Sequence, residues 1–248
     1  MSVRFLNMGD SALTLELGDH IELGLAASVT ALDHRLSREL AAGRLTGLIE
    51  AVPTYRSLTI IFDPLVLSRE TLKTELLSLL AESEKTVDQI ARCWQLPVCY
   101  EEEYGPDLAT VAAARGLTTA QVVHLHSSKT YTVYMIGFLP GFPYMGDLDP
   151  ALHMPRRSVP RVRVAVGSVA IVGGQTAIYP WVSPGGWQIL GGCPLPLFNA
   201  QSSEPALLAQ GDQVQFAPVS ASHFRAVAAA AQAGSLDMTQ FLVSEVPK

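Results

Sequence analysis

The chain has 248 residues, of which 48% are hydrophobic and 16% charged, and it carries a formal net charge of −6. A chain of this size buries enough surface to be stable without disulfides or metals, and its balance excludes long disordered stretches. The acidic charge leaves no basic footprint for nucleic acid. The three cysteines, Cys93, Cys99 and Cys193, form no CxxC pair. That excludes a disulfide framework and a zinc site, and it favours reduced, buried thiols. No signal peptide is legible near Met1–Asp10, and no run approaches the roughly 18 apolar residues of a membrane span. A cytoplasmic protein is therefore expected.

Residues 1–95 alternate strands and helices. Ala12 to Leu17 alternates apolar and polar residues, the period of a half-buried strand. Leu25, Val29, Leu32, Leu36 and Leu40 then recur on one helix face, and Gly43 is placed to stop that helix. Leu48–Val52 and Leu58–Phe62 read as a hairpin-like strand pair. Ser68 is a candidate N-cap for a helix through Leu72, Leu76 and Leu79. A further strand near Gln89–Leu96 completes a β-α-β-β-α-β order, with a short extra strand near Val3–Leu6. This is the ferredoxin-like order.

A boundary is expected near Pro97. One short helix starts at Pro106-Asp107 and ends by Gly116. Another starts at Thr118, where Thr118 and Gln121 make a capping box. Residues 137–196 then hold ten of the nineteen glycines and nine of the sixteen prolines, a density that helices do not tolerate. Short apolar runs lie between these breakers, which points to a barrel or a sandwich. An Ala-rich helix is expected over about Ser220–Ala233, and 234–248 reads as a loosely packed tail.

Four segments carry a family resemblance: Gly137-Phe138-Leu139-Pro140-Gly141-Phe142-Pro143-Tyr144-Met145; Pro155 to Arg161; Gly167 to Ile171 with Gln175-Thr176; and Tyr179-Pro180 followed by Ser183-Pro184-Gly185-Gly186-Trp187. Gly105-Pro106-Asp107-Leu108 and the His124-x-His126-Ser127 region fit the same pattern. In this order and spacing the chain resembles the KipI-like family, whose members are also called 5-oxoprolinase B subunits or allophanate hydrolase subunit 1. There is one departure. Where the family commonly has Gly-Arg-Thr-Pro, this chain reads Gly191-Gly192-Cys193-Pro194, so a frequent arginine is missing.

The resemblance implies an α+β protein in three parts: a ferredoxin-like domain over 1–95, a cyclophilin-like β-barrel over 96–233, and a tail. It implies two partner chains, a KipA-like C subunit and a LamB/YcsF-like A subunit. The implied function is that of the B subunit in an ATP-dependent 5-oxoprolinase complex, which opens 5-oxo-L-proline to L-glutamate with ATP as co-substrate. Alternatives within the resemblance are a urea carboxylase or allophanate-type amide pathway, and inhibition of a sensor histidine kinase.

Opening a resonance-stabilised lactam calls for donors to phosphate, a carboxylate clamp and a base for water. Arg157 and Arg161 are the candidate clamps, because guanidinium forks suit carboxylate and phosphate. Arg156 and Arg163 read as structural. His124 is the candidate base, and His126 reads as a capped or interface histidine. Two residues apart on a helix, the histidines face different ways, and no third ligand is near, so no metal site is expected. Gln175, Tyr179 and Ser183 are candidate substrate-binding residues in turns between strands. No P-loop is present, so ATP is expected to rest on a partner or a shared site. Phe138, Phe142, Tyr144, Trp181 and Trp187 form an aromatic set that reads as interface, ligand wall or core.

Overall fold

The computed structural model describes residues 3–83 and 92–243, and the chain divides into two compact units, 1–90 and 91–248. The first unit contains β1 (Arg4–Asn7), β2 (Ala12–Glu16), α1 (Leu23–Ala41), β3 (Leu48–Pro53), β4 (Ser57–Phe62) and α2 (Arg69–Ser83). Its antiparallel sheet has the order β1-β2-β4-β3. Val29, Leu32 and Leu36 of α1 and Leu72 and Leu76 of α2 form one core with Leu13, Leu15, Leu58 and Ile60 of the sheet. Each fully buried leucine contributes roughly 1.5–3 kcal/mol relative to exposure. Gly43, at φ 68°, ends α1 in the left-handed conformation. The Ser68 Oγ accepts from the Thr71 N–H at 3.1 Å and so caps α2.

The expected strand order needs correction. β2-α1-β3 is a split β-α-β unit with β4 between its strands, as the ferredoxin-like pattern demands. Among the described residues this sheet has no strand after α2, and β1 occupies the edge beside β2. The run expected at 89–96 is a strand over Cys93–Val98 (β5), and it pairs in the second unit. Residues 89–91 lie outside the described residues. Pro97 therefore falls inside a strand, because β5 runs parallel to a partner 120 residues later and not beside β2.

The second unit continues with α3 (Leu108–Arg115), α4 (Thr119–Ser127), β6 (Thr130–Ile136), β7 (Pro143–Met145), β8 (Arg161–Val164), β9 (Ser168–Val172), β10 (Gln175–Ile178), β11 (Ser183–Gly185), β12 (Gln188–Gly192), β13 (Gln213–Pro218), α5 (Ala221–Gln232) and β14 (Leu242–Val243). Thr118 and Gln121 form the expected capping box at α4. One sheet has the order β12-β9-β10-β7-β6-β13-β5-β14, and β8 and β11 make a separate two-stranded ribbon. Alternation divides the large sheet into two apolar faces. Val169, Ile171, Ile178 and Leu190 join the larger core, whereas Ala170, Ala177, Tyr179 and Ile189 join a smaller one with Phe142, Val164 and Trp187.

The large sheet is not a closed barrel. β12, at one edge, meets the chain just after β5 at an isolated bridge, Cys99–Gly192, with both N···O distances 2.9 Å, while β14 forms the other edge beside β5. The chain turns at Glu101–Tyr104 directly after that bridge, and a bulge between Ile189 and Gly191 shifts the β12 register, so no longer ladder forms. Part of the expected loose tail is ordered on the sheet: Leu242 and Val243 pair with Trp94 and Cys93, and Met238 and Phe241 pack against the main core. Residues 244–248 lie outside the described residues.

Candidate functional site

The smaller core of the second unit borders a cluster built on Asp107, which sits at the start of α3. Its side chain is 4% exposed, and its Oδ1 accepts from Arg157 Nη1 at 3.0 Å and from Arg161 Nη2 at 2.7 Å. Oδ2 accepts from the Ile189 backbone N–H at 2.7 Å, and the Asp107 N–H donates to the Ile189 carbonyl at 3.0 Å. One carboxylate thus ties α3, β12 and two arginines together. Arg157 is anchored further, because its backbone N–H donates to the Gly186 carbonyl at 2.7 Å. Arg161 opens β8 directly opposite Gly185 of β11.

The arginines are not used up by Asp107. Arg157 Nε and Arg161 Nη1 are buried and meet no acceptor among the described residues, and neither does the Ser183 Oγ find a partner. Buried donors without acceptors are rare in folded proteins, and each calls for an acceptor such as a water, an ion or a bound group. The two arginines and one aspartate sum to a charge of +1. That suits one carboxylate, and the Arg156 charge beside Tyr144 and Tyr179 adds to the positive field.

Tyr179 and Ser183 lie beside this cluster. Ser183 is opposite Val164 in the ribbon. A Cβ added at Gly185 would lie 2.5 Å from the Tyr179 hydroxyl, so only glycine lets that phenol tuck under the ribbon. Burial raises the Tyr179 phenol above its ordinary value, and the nearby Arg156 charge opposes the rise. Tyr144 shows the same pair of effects. Phe142 packs at 4.8 Å from Tyr144, 5.1 Å from Tyr179 and 6.1 Å from Trp187. Phe142, Tyr179 and Trp187 are therefore core, with Tyr144 at the half-buried margin. Phe138 stands outside that core, 64% exposed and edge-on to Phe142, in the left-handed region at φ 68°.

Three other expectations separate from the cluster. Gln175 begins β10, whereas Tyr179 follows its far end, four residues or about 13 Å away. His124 is exposed on α4 and lines an open groove with Tyr100, Leu108, Val123 and Pro218. His126 is fully buried: Nδ1 lies 2.7 Å from the Tyr100 hydroxyl, Nε2 lies 2.9 Å from Thr176 Oγ1, and the ring stacks on Phe216 at 4.7 Å. Burial lowers its pKa from 6.5 to about 3, which keeps it neutral. It is an interior strut and not the capped or interface residue expected. Arg161 and Arg163 share strand parity, but only Arg161 reaches Asp107; Arg163 is exposed.

Sequence reasoning missed Asp107 as a site residue. The Gly105-Pro106-Asp107-Leu108 segment is its only signal, and that segment also reads as an ordinary helix start. The missing arginine has a local explanation. A Cβ at Gly192 would meet Tyr104 at 3.0 Å and Phe224 at 3.3 Å, and those two rings pack 4.2 Å apart. The space next to position 192 is thus taken by an aromatic pair. Among the described residues no cluster of three or more His, Cys, Asp or Glu side chains is placed to hold a metal ion.

Residues 3–208 match the family described as carboxyltransferase domain, subdomain C and D. The chain is 36% identical to the 5-oxoprolinase B subunit of Bacillus subtilis, over 91% of this chain and 98% of that protein. It is 41% identical to the 5-oxoprolinase B subunit of Escherichia coli O157:H7, over 85% and 94%. Among solved structures it resembles TTHA0988 with a TM-score of 0.73 and 35% identity; the match takes in 88% of this chain and 40% of that longer one. By the match over most of its length, and by the two named relatives it spans almost entirely, the chain belongs to the 5-oxoprolinase B-subunit family of carboxyltransferase subdomain C and D proteins.

Proposed function

We propose that this chain is the B subunit of an ATP-dependent 5-oxoprolinase complex, and that Arg157 and Arg161 hold the carboxylate of 5-oxo-L-proline. The observation that carries the site assignment is the pair of guanidinium groups fixed on Asp107 with donors left over. Asp107 acts as a positioning residue: it sets both forks before the substrate arrives, so little side-chain entropy is lost on binding. Ser183 offers a third donor, and Tyr179 with Tyr144 borders the space.

The chain carries no P-loop, so the nucleotide and the lactam-activating chemistry are assigned to the KipA-like and LamB/YcsF-like partner chains. Gln175 and His124 are left out of the arginine site because each sits elsewhere in the fold. The curled sheet is read as an opened form of the cyclophilin-like barrel, with its β12 edge touching the chain after β5 at Cys99 and Gly192.

The test is reconstitution. The chain is co-expressed with its LamB/YcsF-like and KipA-like partners, and ATP-dependent release of glutamate from 5-oxo-L-proline is measured. Turnover that vanishes when this chain is omitted supports the proposal. Absence of turnover from an intact three-chain complex overturns it.

A further inference from the structure

The β8–β11 ribbon stands apart from the large sheet and presents a surface that the chain itself does not use. Val164 anchors the ribbon in the smaller core and is 1% exposed. In contrast, Val162 is 89% exposed, and Val159 and Val166, which flank β8, are 74% and 60% exposed. Neither strand pairs with any other among the described residues, so the ribbon keeps free backbone edges. Unprotected edges with exposed β-branched side chains are a liability that natural proteins normally cover. Trp181, 44% exposed just before β11, extends the patch, and its indole N–H donates to the Pro140 carbonyl at 3.0 Å, which fixes its place.

Basic residues also flank the patch, with Arg163 on the opposite face of β8 from Val162. Arg156 and Arg163 are exposed and form no ion pair among the described residues, although the whole chain carries a net charge of −6. Local positive charge on an acidic protein selects for an acidic counterpart. The apolar residues spread along a raised ribbon and do not line a hollow, which fits a protein face better than a small molecule.

The kind of partner follows from the relatives. The matched region is only part of a carboxyltransferase, subdomains C and D, and in TTHA0988 it makes up 40% of one continuous chain. The Bacillus subtilis relative, spanned to 98%, is named as one subunit among several. We infer that the β8–β11 ribbon is the docking surface for a second chain that carries the remaining carboxyltransferase fold, through an apolar face rimmed by carboxylates. This rests on the proposed role as one member of a multi-chain complex.

The test uses the full-length chain and the KipA-like chain, with affinity measured by titration and the complex checked by size-exclusion chromatography. V162E/V166E is expected to weaken binding about 100-fold, as loss of a buried hot spot does. R163E is expected to weaken it about 5-fold and to flatten its salt dependence. If the double variant melts below the wild type, V162A/V166A gives the reading instead. Wild-type affinity in these variants, or failure of the wild-type chains to associate, overturns the inference. Normal association with lost turnover also overturns it and makes the ribbon a ligand contact. Association that depends on the ribbon, in a complex that releases no glutamate, upholds docking and rejects only the 5-oxoprolinase reading.

Discussion

Asp107 and Asp212 are both nearly buried carboxylates that accept from arginine, yet their surroundings differ. Asp212 takes two bonds from Arg92, at 3.1 and 2.8 Å, one from the Trp94 indole at 3.0 Å and one from the Ala209 N–H at 2.9 Å. No buried nitrogen of Arg92 or Trp94 is left over, and the Arg92 guanidinium also stacks over Trp94. Asp107 gathers two arginines and one backbone N–H, and it leaves Arg157 Nε and Arg161 Nη1 without acceptors. A closed network ties the strand entering the second unit to the turn before β13; an open one holds charge in readiness. On the proposed assignment, the same chemistry serves folding in one place and recognition in the other, and leftover donors mark the difference.

That contrast can be broken most forcefully at the carboxylates. Asp107→Ala and Asp212→Ala should each cost about 1–3 kcal/mol, because each leaves buried N–H donors unpaired beside arginines that are only partly buried. Denaturant unfolding of the isolated chain measures both. A loss below about 1 kcal/mol at Asp212 would refute its role as a closed structural network.

A smaller effect comes from the interior histidine. His126 is neutral when folded, with a pKa near 3 against 6.5 unfolded, so the unfolded chain binds the extra proton. Its contribution is complete above pH 6.5 and is lost as pH falls toward 3. Between pH 6.5 and 5 it should remove about 2 kcal/mol, at roughly 1.4 kcal/mol per unit. His126→Gln should flatten that slope. In the first unit, burial raises Asp33 to about 6, which works in the opposite direction: its destabilisation grows as pH rises from 3.8 through 6.

The smallest expected change is at Phe138. Its left-handed backbone and exposed ring gain little for the fold. Phe138→Gly should stabilise the chain by about 1 kcal/mol, with the relief of strain partly offset by glycine's added entropy loss. A fall in stability would show that the ring is needed for folding.

Much of this molecule is legible in its sequence, for reasons that can be traced to particular residues. Leu25 to Leu36 keep a helical period because α1 has one buried face, and Thr118 with Gln121 announces α4 through local chemistry alone. The sequence places β5 in the wrong unit because Cys93–Val98 pairs with residues 213–218, a long-range choice that no local pattern records. Arg157 and Arg161 stand out by density. Asp107 does not, since a carboxylate at a helix start looks like a cap until Ile189 and both arginines are seen around it. Gln175 and Tyr179 lie close in sequence, in neighbouring family segments, but β10 carries them to opposite ends.

The most direct test is steady-state kinetics on the assembled complex with Arg157→Gln and Arg161→Gln. If these guanidinium groups hold the substrate carboxylate, KM for 5-oxo-L-proline rises about 10- to 100-fold, the worth of a lost charge-assisted hydrogen bond, while KM for ATP stays unchanged. A rise in KM for ATP with 5-oxo-L-proline unaffected, or no change in either, would contradict the assignment.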